Sequence, residues 1–436
     1  MNKDPALSVP ANSECPHQSI VEERLADLTS KFSVLWERVS DTSFLHATTY
    51  SSQQQEENER RSEKLLLETE HESKSVNGIE KRFDRLRSCV RDLVLESIEQ
   101  EKCEQIKEML FSCSNAGDEF VHRAREFDPG LRSESIFQAL RNVWIINSMQ
   151  AAFGLPISVN PSGFAYSMLY AYTDNYLDSE SVSQHEKVEF GYSFGLRLAG
   201  FDVSAESPLI SRVSSLVRLI EVEYPRTLFP KVYASLLAIH SAQQASLQQR
   251  LNNSQGFEKG ILNLSVEKGG ASVVADAYLA KGELAPAEID FAFGYGVFLQ
   301  FIDDLQDVKE DLMGGSETRF TQAAKEGTLD SITNRLTQYL YEVLFSVSPL
   351  SGPRADGLTE LILQGSVGLI LESIALNSEL FSMEFSRTTE IFSPLKFDAI
   401  RRLHRKRTTL ESRLNACEEY RPSPKTSTYR LVTLEG

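Results

Sequence analysis

Two groups of carboxylates carry the chemistry that this chain's residue types allow. The first lies in residues 294–312, GYGVFLQFIDDLQDVKEDL, where Asp303, Asp304 and Asp307 stand at i, i+1 and i+4. On a helix, Asp303 and Asp307 project from one face a turn apart. Their neighbours Phe298, Leu299, Phe301, Ile302, Leu305 and Val308 are apolar, so the helix is expected to be largely buried. Carboxylates crowded in such a setting repel one another unless a cation neutralises them. Magnesium, a hard ion that takes carboxylate oxygens, is the natural partner. The second group lies in residues 170–180, YAYTDNYLDSE, where Asp174 and Asp178 are again four apart on a run that includes Phe164, Met168, Leu169, Tyr172 and Leu177. Either group alone reads equally as an acidic helix end in water. Facing each other across a helix bundle, the two hold metal ions that bridge to a diphosphate, while aromatic walls accept a hydrocarbon.

The elements that position these groups are helices. From residue 79 onward apolar residues recur at spacings of three and four: Phe83 to Ile98, Ile136 to Met149, Phe164 to Leu177, Val188 to Leu198, Ile210 to Val222, Val232 to Leu247, Phe257 to Leu279, Ile289 to Val308, Leu329 to Val347 and Leu358 to Leu380. Pro and Gly fall between the runs, as at Pro161, Gly200, Pro208, Pro230, Gly282, Pro286 and Gly314-Gly315. Alternating strand patterns are nearly absent, which predicts an all-α antiparallel helix bundle. Residues 1–50, rich in Ser, Thr, Asn and Gln, are expected to be largely disordered, with one short amphipathic helix over 25–39. Residues 51–130 read as a polar, helical extension, 131–350 as the helical core, 351–415 as further helices completing the bundle, and 416–436 as a tail.

Composition narrows the partners. With 62 acidic against 45 basic residues, the net charge of −17 argues against nucleic acid or an anionic membrane surface. Five scattered cysteines form no CxxC pair, so neither a disulfide framework nor a zinc site is expected. The first residues lack an apolar core of the signal-peptide kind, and no window reads as a transmembrane segment of ~20 apolar residues. A cytoplasmic, soluble protein is the expectation.

At the motifs themselves the chain resembles a known group. GVFLQFIDDLQDV is similar to the second aspartate-rich motif of the trans-isoprenyl diphosphate synthases and their relatives in the class I isoprenoid synthase superfamily. There a Gly-x-x-x-Gln run leads into Asp-Asp-x-x-Asp. DNYLD resembles a degenerate first motif, with Asn175 at its second aspartate. SVEKGGASVVADAYLAKGEL resembles the helix in which the family carries a diphosphate-binding lysine, here Lys268. The resemblance spans residues 140–347. It implies a bundle of the isoprenoid synthase type around a deep central pocket, three Mg2+ ions bound with substrate, and homodimerisation. Asp174, Asp178, Asp303 and Asp307 are the implied metal ligands, with Asp304 a ligand or one step behind. Lys268 holds the leaving diphosphate, and Arg319, after the Gly-Gly stop, is a further candidate diphosphate contact. Arg218 and Arg226 read as alternatives to it or as surface residues.

Two departures bear on the reaction. Chain-elongating members carry an arginine pair just after the first motif and a GGKxxRP-like segment upstream; here no arginine follows until Arg197, and Asp128-Pro129-Gly130-Leu131-Arg132 is a poor upstream match. A second diphosphate lacks its usual cationic seat. The expectation is a terpene synthase-like lyase that ionises one allylic prenyl diphosphate, followed by cyclisation or deprotonation. A prenyltransferase that elongates with isopentenyl diphosphate and a non-catalytic regulatory homologue remain the alternatives.

Overall fold

The computed structural model describes residues 16–42, 48–70, 100–179, 181–203, 207–251, 260–348, 350 and 353–419. Among the described residues there are sixteen α-helices and no strand. In chain order they are α1 Pro16–Arg38, α2 Ser52–Glu70, α3 Gln100–Phe127, α4 Ser133–Ala152, α5 Pro161–Asp178, α6 Gln184–Leu198, α7 Pro208–Glu223, α8 Pro230–Leu251, α9 Ile261–Lys281, α10 Pro286–Gln306, α11 Val308–Gly314, α12 Arg319–Glu326, α13 Asp330–Glu342, α14 Pro353–Leu376, α15 Met383–Glu390 and α16 Phe397–Glu419. The expected helix over Phe83 to Ile98 and the tail beyond residue 419 lie outside the described residues.

Local chemistry sets the boundaries. Pro161, Pro208 and Pro286 open α5, α7 and α10, where a missing N–H costs nothing and the fixed φ suits the first turn. Ser207 caps α7 by accepting from the Ile210 N–H, and Ser183 with Glu186 forms a capping box on α6. Gly315, at φ 71°, stops α11.

Helix α9 is the axis of the molecule. It packs against α10, α8, α4, α1 and α5, and its second half is buried almost without interruption from Gly269 to Leu279. A helix apolar on all sides has to be surrounded, and the run GGASVVADAYLA meets that condition.

The N-terminal part differs from the expectation of a largely disordered segment. Residues 16–38 form one continuous helix that packs against α8, α9, α10 and α13. Leu25, Leu28, Phe32, Leu35 and Trp36 are buried; they follow helical spacing, and that stripe drives the docking despite the polar composition around it. Helix α3 also belongs to the bundle, since Phe120 and Ala124 share one buried cluster with Leu28, Phe298 and Ile370. Among the described residues, then, the expected extension, core and C-terminal helices have one common core.

Polar α2 docks through amides instead of apolar residues. Gln55 donates to the Glu390 and Ser393 carbonyls and Asn58 to that of Pro394. From the basic run on α16, Arg402 reaches Glu59 and Glu63 of α2, so this cluster pairs with acidic surface. The stretch Asp356–Leu376 is long and apolar enough by composition to cross a bilayer, contrary to the expectation of no such window, and 56% of it is buried inside the molecule. It packs against α3, α10, α13 and α16 as a core helix.

Candidate active site

The site begins with a close approach of two backbones. A Cβ on Gly296 would lie 2.2 Å from the Gly269 carbonyl oxygen, and one on Gly269 would lie 2.6 Å from that of Gly296. Helices α9 and α10 therefore cross glycine on glycine, a separation that no other residue type permits. Replacing Gly296 with Ala should cost about 1–3 kcal/mol in urea unfolding, because a backbone carbonyl cannot swing aside as a flexible side chain can. An unchanged midpoint would contradict this crossing.

The glycine contact brings the next turns of the two helices together. Gln300 Nε2 donates to Asp304 Oδ1 at 2.8 Å, and Ser265 Oγ donates to Asp304 Oδ2 at 3.3 Å. Asp304 is only 6% exposed. Burial pushes its carboxyl up to about 7, opposed by the Gln300 hydrogen bond and the Lys268 charge. Lys268 is thus close enough to act on the aspartate motif, as the resemblance implies. Asp303 and Asp307 stand at the exposed rim. Helix α10 ends at Gln306, and the Asp307 N–H closes its last turn onto the Asp303 carbonyl. Partial burial, then the charges of Asp303, Glu310 and Asp311, raise the Asp307 carboxyl to about 6, against the pull of Arg141.

The level of the other motif follows from backbone register. Ser162 donates to the Leu279 carbonyl, and Asn142 donates both to Ser167 and to Asp276. Residue numbers therefore rise along α5 as they fall along α9, so the two helices are antiparallel. Residue 174 lies ~10 Å beyond Ser167, and residue 268 lies ~12 Å beyond Asp276 in the same direction. Positions 174 and 178 of α5 thus flank the same half of α9 that carries Ser265, Lys268 and Gly269. The two aspartate-bearing helix ends share one end of the bundle. The side chains of Asp174 and Asp178 lie outside the described residues.

Among the described residues no three His, Cys, Asp or Glu side chains stand close enough to enclose a metal ion by themselves. Magnesium seldom demands such a cage; it takes one or two carboxylates and leaves the rest of its shell to water and substrate phosphate. An all-oxygen donor set of mutually repelling carboxylates beside one lysine fits that ion's chemistry.

Other expected residues fall elsewhere. Arg319 opens α12 and pairs with Glu37 of α1 at 3.3 Å, which turns it toward the N-terminal helix. Arg226 lies over the Tyr233 ring and binds Glu221 and the Leu198 and Arg197 carbonyls; it fastens the α6–α7 region. Gly314-Gly315 is a helix stop, with the Ser316 N–H returning to the Asp311 carbonyl. Phe164 packs on Phe120 and Phe127, and Phe301 on Trp36, Phe320 and Tyr339, which makes both of them core.

Sequence reasoning missed Ser265, Arg141 and the buried pair Asn142–Asp276. Asp276 had a visible signal: it is a lone acid inside the apolar run ASVVADAYLA. It is fully buried, with Oδ2 unpartnered, and burial holds its pKa well above the ordinary carboxylate value of 3.8. The folded chain therefore keeps a proton that the unfolded chain releases, and stability falls as pH rises above the unfolded value. Asp276→Asn removes that slope and keeps the donor to Asn142 intact as an acceptor. Between pH 4 and 7 the variant should lose less Tm than the parent; parallel pH profiles would contradict the assignment.

Comparison with protein-family models, with curated proteins and with solved structures finds no match to this chain.

Proposed function

We propose that this protein is a magnesium-dependent enzyme of the class I isoprenoid type, ionising one allylic prenyl diphosphate whose cation then cyclises or loses a proton. The observation that carries the proposal is the common level of the two aspartate-bearing helix ends, with Lys268 between them on α9. Asp174, Asp178, Asp303 and Asp307 would hold the ions, and bound magnesium supplies neutralisation of the leaving group's charge. Gln300 and Ser265 fix Asp304, so that it orients the rim carboxylates through the helix end. Lys268 receives the departing diphosphate as a point charge.

Arg197, the first arginine after residue 178, is held by Glu221 through two hydrogen bonds of 2.8 and 2.6 Å. That engagement supports a one-substrate reaction. Elongation keeps one observation in its favour: Arg212 lies over the Tyr172 ring and pairs with Asp128 at 3.5 Å, a cation beside the α5 motif. Incubation with farnesyl or geranylgeranyl diphosphate and magnesium, with and without isopentenyl diphosphate, tests the choice. Hydrocarbon or alcohol product without isopentenyl diphosphate is expected. Longer diphosphates formed only in its presence would establish elongation, and no turnover in either would leave a non-catalytic homologue.

A further inference from the structure

A second feature of the bundle lies deeper than the aspartates. A partly open cavity of about 300 Å³ is bounded by α3, α4, α10 and α14, with Met109, Cys113, Asn147, Tyr295, Ile362 and Ser366 in its wall. No charged side chain lines it. Cys113 adds apolar surface, since burial pushes its thiol up to about 11 and keeps it protonated. Tyr295 is hydrogen-bonded to Ser366. Asn147 is different: it is wholly buried, and neither its Oδ1 nor its Nδ2 has a hydrogen-bond partner. Buried polar atoms are almost always paired, and each one left unpaired costs about 1–3 kcal/mol. An amide with both ends open, in an otherwise apolar cavity, is half of a recognition pair.

The missing half has to answer an acceptor and a donor together. A hydroxyl does so, because it both donates and accepts. A carboxylate only accepts; it would face Oδ1 with negative charge and would find no cation in the wall. A hydrocarbon would leave both amide atoms as they are. We propose that this cavity is a binding site for a small apolar alcohol, whose hydroxyl pairs with the Asn147 amide while its chain lies against Met109, Ile362 and the rest of the wall. This goes beyond the diphosphate reading and does not rest on it: no magnesium and no diphosphate enter the binding.

Titration calorimetry of the full chain with 1-octanol, octanoate and 1-chlorooctane tests it. One oxygen answering two open atoms is worth about a tenfold or greater preference for octanol over the other two. Asn147→Leu should abolish that preference. Gly365 offers a control that keeps the fold, because it lines the cavity and a Cβ there meets nothing within 4 Å. Gly365→Leu should fill the space and remove octanol binding with no loss of Tm. Equal affinity for all three probes, an octanol affinity unchanged in both variants, or no binding of octanol (water alone satisfying the amide) would each overturn the proposal.

Discussion

With Asp303 and Asp307 both changed to Ala, release of inorganic diphosphate from farnesyl or geranylgeranyl diphosphate in magnesium should fall by about 10³-fold or more, while Tm stays the same or rises. The two halves of this expectation have one cause. Both side chains are exposed at the rim of the bundle and fasten nothing in the core, so removing them opens no cavity. Asp307 is held above the ordinary carboxylate range by partial burial and then by Asp303, Glu310 and Asp311, so the folded chain is relieved when charge is deleted. The leaving group, by contrast, loses the ions that neutralise it, and a loss of 10³ in rate corresponds to ~4 kcal/mol of transition-state stabilisation. A variant that turns over at more than a tenth of the parent rate would remove these residues from the chemistry. Asp304→Asn should behave differently: with Gln300 and Ser265 bonded to it, its loss should cost activity and stability together.

Trp36→Ala should cost about 3–5 kcal/mol in urea unfolding, the range for a fully buried large aromatic. The Trp36 ring is completely buried, with centroids 4.2 Å from Phe301, 5.9 Å from Tyr339 and 6.5 Å from Phe320. Through that cluster α1 braces the helix that ends in Asp303, because Phe301 stands two residues before it. The variant should therefore also weaken magnesium-dependent turnover, even though Trp36 is remote from the carboxylates in sequence. A loss under about 1 kcal/mol would mean that α1 is an appendage.

The helical class was legible because periodicity is a local property: each run from Ile136 onward carries its own apolar face. The docking of α1 was not legible, because the stripe Leu25-Leu28-Phe32-Leu35-Trp36 sits in a segment whose average composition is polar. Only the partner surface, with Phe293, Phe301 and Tyr339, shows what that stripe is for. The same limit applies to the glycines. Gly269 and Gly296 are plain in the sequence, but that each is the other's neighbour is a fact of tertiary register. Lys268 was found by likeness of motif, and the crossing gives its physical reason, since one residue away from Gly269 it acts on Asp304. Arg319 was misjudged because a cation near an acidic motif in sequence need not face it; the turn at Gly315 carries it to Glu37. Asp276 and Asn147 were missed because single polar residues in apolar helices look alike until their partners, or the lack of them, are known.

The central claim is that carboxylates from α5 and α10 act together on ions and diphosphate. Calorimetric titration of magnesium into the protein, with and without inorganic diphosphate, reads it without any turnover. Each ligand should tighten the other by tenfold or more, and that coupling should vanish both in Asp174→Ala/Asp178→Ala and in Asp303→Ala/Asp307→Ala. Diphosphate that binds equally well without magnesium, or coupling that survives the loss of either pair, would contradict it.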